Sequence, residues 1–134
     1  MVSLDDVVEN ADVISCHVPL TDETRGLIDS SLLSRMKERV LVINASRGGV
    51  IDETALAKAL NDGTVAGAAL DVYEREPLSP ESPLRNAPNL VLTPHLGAST
   101  EEAQVGVATE VAGYMRTALG EGDVSAAINT ADLD

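Results

Sequence analysis

The chain has 134 residues and a formal net charge of −13, from 22 acidic and 9 basic residues, and 44% of its residues are hydrophobic. This size and hydrophobic content predict one folded domain rather than a disordered chain. The acidic charge argues against nucleic acid or an anionic membrane as a partner. The core has to be aliphatic, because the sequence holds two Tyr and neither Phe nor Trp. Such residues are typical of parallel strands covered by helices on both faces.

Short apolar runs alternate with helical patterns along the chain. The predicted elements are a helix at 3–11, a strand within 12–20, a short helix at 29–37, a strand at 40–44, a helix at 52–63, strands at 65–73 and 90–94, and a last helix that begins at 99. Asp52 and Gly63 supply the N-cap and the stop of the fifth element. Ser99 and Glu102 form a capping box at the start of the last helix. This alternation predicts an α/β fold with a parallel sheet of about four strands and flanking helices.

The last helix also carries apolar residues at helical spacing. They are Val105, Ala108, Val111, Ala112 and Met115.

Cysteine and lysine usage bear on the environment of the protein. The single cysteine, Cys16, excludes an internal disulfide and fits a reducing compartment. There is no signal-peptide pattern and no apolar run long enough for a bilayer, so the expectation is a cytoplasmic protein. The basic residues are seven Arg and two Lys. This composition has two interpretations, adaptation to a high-salt cytoplasm or an ordinary acidic surface.

Ligands of parallel sheets bind beyond the carboxyl ends of the strands. We call the residues that follow the C-terminal ends of the four strands the carboxyl edge. Four polar side chains are predicted there, namely His17, Arg47, Asp71 and His95. No spacing of Cys, His or carboxylates suggests a metal site.

Arg47 follows the apolar run of 40–44 and precedes Gly48 and Gly49. The glycines allow a turn that brings another molecule close to the backbone. A guanidinium binds a carboxylate through two parallel hydrogen bonds. The sequence therefore predicts that Arg47 holds an anion, against the alternative that it binds carbonyl groups at the strand end.

His95 is a candidate acid or base, because it stands between the strand-ending Pro94 and the start of the last helix. The stretch 71–77 supplies carboxylates. Asp71 ends an apolar run, and Glu76 precedes a proline and is a plausible partner for His95. Acidic residues of this stretch, Glu74 included, are otherwise ordinary surface residues. A His–carboxylate pair with an arginine suits the interconversion of a carbonyl and an alcohol.

Three ordered motifs, 44-NASRGGVIDETALAKAL-60, 66-AGAALDVYEREP-77 and 94-PHLGASTEEAQ-104, resemble the D-isomer-specific 2-hydroxyacid dehydrogenases. The resemblance covers the chain to about residue 115. It implies a Rossmann-like doubly wound sheet, NAD as cofactor and hydride transfer at a hydroxy acid. Within that family, the GASTEEAQ form is similar to the members that act on 3-phosphoglycerate.

The resemblance also implies roles for individual residues. Arg47 would bind substrate, Glu76 would pair with His95, and His95 would act as the acid and base. Cofactor contacts are expected from His17, Val18, Pro19, Ala45, Ser46, Arg47, Asp71, His95, Gly97 and Ala98.

One departure from the family concerns the cofactor phosphates. The ten glycines do not form the motif G-x-G-x-x-G. The acidic residue that follows this motif by about 20 positions and binds the ribose hydroxyl is therefore also missing. Residues 1–119 are therefore expected to be the second half of an NAD-binding domain, with 120–134 as a loop or tail. NAD and NADP stay open as alternatives.

The expected partners are a small hydroxy or keto acid and either further copies of the chain or a complementary segment. A non-enzymatic NAD-sensing module and a dimerisation module remain alternatives to an enzyme.

Overall fold

In the computed structural model, residues 2–127 of the chain are described. The elements are α1 (Leu4–Asn10), β1 (Val13–Cys16), α2 (Ser30–Arg35), β2 (Leu41–Asn44), α3 (Glu53–Asn61), β3 (Gly67–Leu70), a 3-10 helix (Pro83–Asn86), β4 (Leu90–Leu92) and α4 (Glu101–Glu121). Two compact units, Met1–Leu96 and Gly97–Asp134, can be distinguished, and each is described by itself. No helix within residues 2–127 combines the length and apolar character needed to cross a bilayer.

The four strands form one parallel sheet in the order β1-β2-β3-β4. The predicted α/β fold with a four-stranded parallel sheet is confirmed. Because the strand order follows the chain order, β1 and β4 are the two edge strands of this sheet. Each crossover between neighbouring strands contains a helix, as parallel pairing requires.

One face of the sheet builds the core of the first unit. Val42, Ala68 and Leu70 point to this face and are buried, and they pack with Leu33 of α2 and Leu56 of α3 in one hydrophobic cluster. Helix α3 contributes four buried residues from nine, at the spacing of one helical face.

The opposite face of the sheet is more open. Val13, Leu41 and Val91 alternate with the core residues along their strands, and they are 52%, 44% and 61% exposed. The composition predicted helices on both faces, whereas the buried core of the first unit lies on one face.

The helix starts follow their capping residues. Ser3 and Asp6 form a reciprocal capping box on α1. The Asp52 side chain accepts hydrogen bonds from the backbone N–H groups of Thr54 and Ala55 at 2.9 Å, as predicted for an N-cap.

The predicted cap of the last helix was wrong by one residue. Thr100, rather than Ser99, is the N-cap of α4, and its hydroxyl accepts a hydrogen bond from Ala103 N at 3.2 Å. Two hydroxyl residues adjoin there, and the one next to the first helical residue reaches that N–H. Glu102 therefore falls at the second helical position, where it cannot complete a capping box.

Helix α4 ends at Glu121, and Gly122 adopts the left-handed conformation with φ of 69°. The start of the predicted tail, at residues 120 and 121, is therefore helical. Its last part, 128–134, lies outside the described residues. The predicted domain boundary at 119/120 stays a prediction.

Candidate active site at the carboxyl edge

The last residues of the four strands stand in register across the sheet, and they are Cys16, Asn44, Leu70 and Leu92. The segments that follow them share one edge of the sheet. This edge therefore carries the side chains expected there from the sequence, His17, Arg47, Asp71 and His95.

His95 and Glu76 form a direct pair. The Nδ1 atom of His95 lies 2.7 Å from Oε2 of Glu76, and both side chains are partly exposed. The other carboxylate oxygen, Oε1, accepts a hydrogen bond from the backbone N–H of Tyr73 at 3.0 Å. The hydrogen bond from His95, followed by that from Tyr73, lowers the pKa of Glu76 below the ordinary glutamate value. Glu76 is therefore an ionised acceptor that orients the imidazole through Nδ1.

The turn that carries His95 is tied to the end of β3. Oδ1 of Asp71 accepts hydrogen bonds from the Thr93 hydroxyl at 2.5 Å and from the backbone N–H of Leu96 at 2.8 Å. Between these two anchors, His95 has a positive φ of 57°. That conformation is unfavourable for a residue with a side chain, so the surrounding bonds have to hold it.

The loop of Arg47 is shaped by a buried amide. Asn44 is 2% exposed, and its Oδ1 accepts hydrogen bonds from the backbone N–H and the hydroxyl of Ser46 at 3.0 and 2.8 Å. Its Nδ2 donates to the carbonyl oxygen of Arg47 at 2.9 Å. One side chain thereby fixes the backbone of 44–47.

Gly48 brings this loop against the segment of Glu76. A Cβ atom at residue 48 would lie 1.7 Å from the carbonyl oxygen of Tyr73 and 2.8 Å from the backbone nitrogen of Glu74. Only glycine permits so close an approach of two backbones. The segments of Arg47 and of Glu76 are therefore neighbours.

The Arg47 side chain is exposed, and its Nη1 donates to the carbonyl oxygen of Ser46 at 2.7 Å. This is the carbonyl contact that the sequence left open as an alternative to anion binding. Since one Nη1 bond uses one of five donors, the guanidinium retains donors for a carboxylate.

The residues expected to contact the cofactor are spread over both units. Nε2 of His17 lies 2.9 Å from the Ser15 hydroxyl, and the Pro19 carbonyl oxygen accepts a hydrogen bond from the Thr24 hydroxyl. Val18 and Ser46 are partly buried, and Ala45 is exposed. Gly97 and Ala98 belong to the second unit. The roles of all these residues stay predictions.

A cavity of about 560 Å³ adjoins the His95–Glu76 pair. It is lined by Tyr73, Glu76, Pro77, Leu78, Arg85, Leu92, Thr93, Pro94 and His95. Arg47 is not among the residues that line this cavity.

Sequence reasoning missed three residues that hold the site, namely Asn44, Tyr73 and Thr93. Asn44 had a usable signal, because an amide that closes an apolar strand needs buried partners. Tyr73 also had a signal, because it is one of only two aromatic residues in the chain. Thr93 has no local signal, since its partner Asp71 lies 22 positions away.

A family model for the D-isomer specific 2-hydroxyacid dehydrogenase, NAD binding domain, matches residues 1–97. The chain belongs to this family. The domain of the family is an NAD-binding domain, and the predicted Rossmann-like fold and family resemblance are confirmed.

Curated relatives of this dehydrogenase family are about half identical to the chain. The D-3-phosphoglycerate dehydrogenase of Archaeoglobus fulgidus is 51% identical over 112 residues, which are 84% of this chain and 21% of that protein. That of Synechocystis sp. is 52% identical over 119 residues, 89% of this chain and 21% of that protein. The chain thus spans about a fifth of the length of these relatives.

Solved structures share the fold. A glyoxylate reductase from Paecilomyes thermophila has a TM-score of 0.79 at 40% identity, covering 91% of this chain and 37% of that one. An NAD-dependent formate dehydrogenase from Staphylococcus aureus, in complex with NAD, has a TM-score of 0.77 at 34% identity, with the same coverage.

Proposed function

We propose that the chain is the part of an NAD-dependent oxidoreductase that carries Arg47, Glu76 and His95 and acts on the CH–OH group of a D-2-hydroxy acid. The observation that carries this proposal is the 2.7 Å contact between His95 Nδ1 and Glu76 Oε2 at the carboxyl edge. The names of the curated relatives support 3-phosphoglycerate as the substrate.

Each of the three side chains has one task in this proposal. His95 takes the hydroxyl proton of the substrate on Nε2 during oxidation and returns it during reduction. Glu76 accepts the hydrogen bond of Nδ1–H, which fixes the orientation of the ring. Arg47 holds the substrate carboxylate through its guanidinium.

NAD, when bound, accepts or supplies the hydride. The chemistry of Asp71 fits the nicotinamide end, because its carboxylate already accepts hydrogen bonds from a hydroxyl and an amide N–H. Ala45 and Ser46 are proposed to line the same end, and His17, Val18 and Pro19 the adenosine side. Gly97 and Ala98, in the second unit, are proposed as further cofactor contacts.

The sequence lacks the glycine-rich motif that usually binds the pyrophosphate of NAD. Its usual anchor is a glycine-rich turn with a helix N-terminus, and the sequence contains no G-x-G-x-x-G. We therefore propose that these 134 residues by themselves bind NAD weakly and are inactive. Activity would require a complementary segment, and the open edge of β1 is a surface on which further strands can pair.

A chimaera tests the proposal. The corresponding segment of the Archaeoglobus fulgidus D-3-phosphoglycerate dehydrogenase is replaced by this chain, and NADH formation from 3-phosphoglycerate is measured. We expect activity in the chimaera and neither turnover nor micromolar NAD affinity, by calorimetry, in the chain alone. Light scattering of the same sample reports whether copies of the chain associate.

Variants of the chimaera distinguish an enzyme from a scaffold. Arg47→Lys should lower kcat/KM by about a hundredfold, because an ammonium cannot replace the two-pronged hydrogen bonding of the guanidinium. Arg116→Lys on α4 is the matched control and should leave kcat/KM unchanged. A folded chimaera that binds NAD without turnover would favour the NAD-sensing module instead, and one that only associates would favour the dimerisation module.

A further inference from the structure

Tyr73 contacts Glu76 through its backbone and contacts the segment before His95 through its hydroxyl. Its side chain is 7% exposed, although the pair itself is partly exposed. Its backbone N–H donates to Oε1 of Glu76 at 3.0 Å, on the opposite side of the carboxylate from His95.

The Tyr73 hydroxyl binds the turn of His95. It shares its hydrogen bond between the carbonyl oxygen of Thr93, at 2.6 Å, and that of Leu70, at 3.1 Å. Thr93 also donates its backbone N–H to the same Leu70 carbonyl at 3.0 Å. The hydroxyl thus joins the ends of β3 and β4 two residues before His95.

The hydroxyl is suited to remain a donor. Burial is the largest cause that raises the pKa of Tyr73, and the negative charge of Asp71 adds to it. The phenol therefore keeps its proton throughout the neutral pH range, so that the bond to Thr93 does not titrate with the pair.

From these contacts, we propose that Tyr73 is a positioning residue that sets the distance between His95 and Glu76. The backbone N–H orients the carboxylate, and the hydroxyl holds the strand end from which the imidazole projects. Asp71 and Thr93 complete this brace through the bond between the Thr93 hydroxyl and Asp71 Oδ1. The inference rests on the proposed function only in treating the pair as catalytic.

The test uses the full chain and needs no activity. Carbon-13 NMR of the glutamate carboxyl groups gives the titration midpoint of Glu76 in the wild type and in Tyr73→Phe, Tyr114→Phe and His95→Gln. His95→Gln should raise the midpoint, since the bond from His95 is the largest cause of its depression. Tyr73→Phe should raise it detectably in the same direction, because the ring remains but the bonds of the hydroxyl to the Thr93 and Leu70 carbonyl oxygens are lost.

Tyr114→Phe is the matched control. It also removes a tyrosine hydroxyl bonded to an acceptor, Glu110, but in α4, and the Glu76 midpoint should not change. A Tyr73→Phe chain with an unchanged midpoint, or with lower thermal stability as its only change, would overturn the proposal. An unchanged midpoint in His95→Gln would overturn it as well, because the pair would not be joined.

A second measurement requires no variant. The Tyr73 hydroxyl proton of the wild-type chain should exchange with water more slowly than that of Tyr114, which is 51% exposed. Equal exchange would contradict a buried hydroxyl bound to Thr93. Absence of activity in the chimaera would leave both NMR results intact, so failure of the proposed function and failure of this inference are distinguishable.

Discussion

The first unit and helix α4 reach their structures by different means. Residues 2–96 enclose a cluster of fully buried aliphatic side chains, such as Leu33, Val42 and Leu56. The 21 residues of α4 include no buried residue, and its large apolar side chains are exposed. Burial therefore stabilises the first unit, whereas α4 depends on its own backbone bonds, its Thr100 cap and its glycine stop. Matched substitutions in the two regions should differ in size and in sign.

The largest difference is expected for leucine. Leu56→Ala removes a side chain with no exposure and should lower the free energy of unfolding by about 2–5 kcal/mol. Leu119→Ala removes one that is 85% exposed and should change it by less than about 0.5 kcal/mol. Urea unfolding followed by circular dichroism measures both. Similar effects of the two changes would show that Leu119 is covered in solution.

Replacing a glycine by alanine should change the free energy of unfolding in opposite directions in the two regions. Gly48→Ala places a Cβ 1.7 Å from the Tyr73 carbonyl oxygen and should cost about 2–3 kcal/mol. Gly113→Ala, in α4, meets nothing within 4 Å and should stabilise by about 0.5–1 kcal/mol. The same denaturation measurement checks both. A neutral Gly48→Ala would mean that the two loops are not in contact.

The smallest expected effect is a pH dependence of stability. The pKa of Glu76 is lowered in the folded chain. Its ionised form therefore stabilises the fold at every pH above the ordinary glutamate pKa of about 4.5. This contribution to the free energy of unfolding is lost as the pH falls from about 4.5 towards the pKa of Glu76 in the folded chain. Glu76→Gln should therefore melt below the wild type at neutral pH, and the two melting temperatures should converge in acid. His95→Gln should show the same convergence. A constant difference across this range would contradict the role of the pair.

Local patterns were sufficient for most of the fold. The alternation of apolar runs and helical segments predicted the parallel sheet, and Asp52 was predicted as the N-cap that the structure contains. These features depend on residues within one turn or one strand of each other. The start of α4 was misplaced because Ser99 and Thr100 are chemically equivalent caps, and the backbone entering the helix decides between them.

The bonds that hold the candidate site could not be predicted in the same way. Strand order places Arg47, Asp71 and His95 at one edge, and that much followed from the sequence. The contacts of Tyr73 with Thr93 and of Asp71 with Leu96 span 20 and 25 positions. Their partners depend on the register between β3 and β4, which no single segment encodes.

The loop of Arg47 has little freedom in its main chain. Asn44 binds its start and its end, and the next residue is wedged against Tyr73. Under the proposed function, in which Arg47 holds the substrate carboxylate, acids of different lengths would have to be accommodated by the torsions of the arginine side chain. The range of substrates accepted at this position would then depend on one flexible side chain attached to a fixed backbone. Selection for a narrower range would act on the residues that surround that side chain.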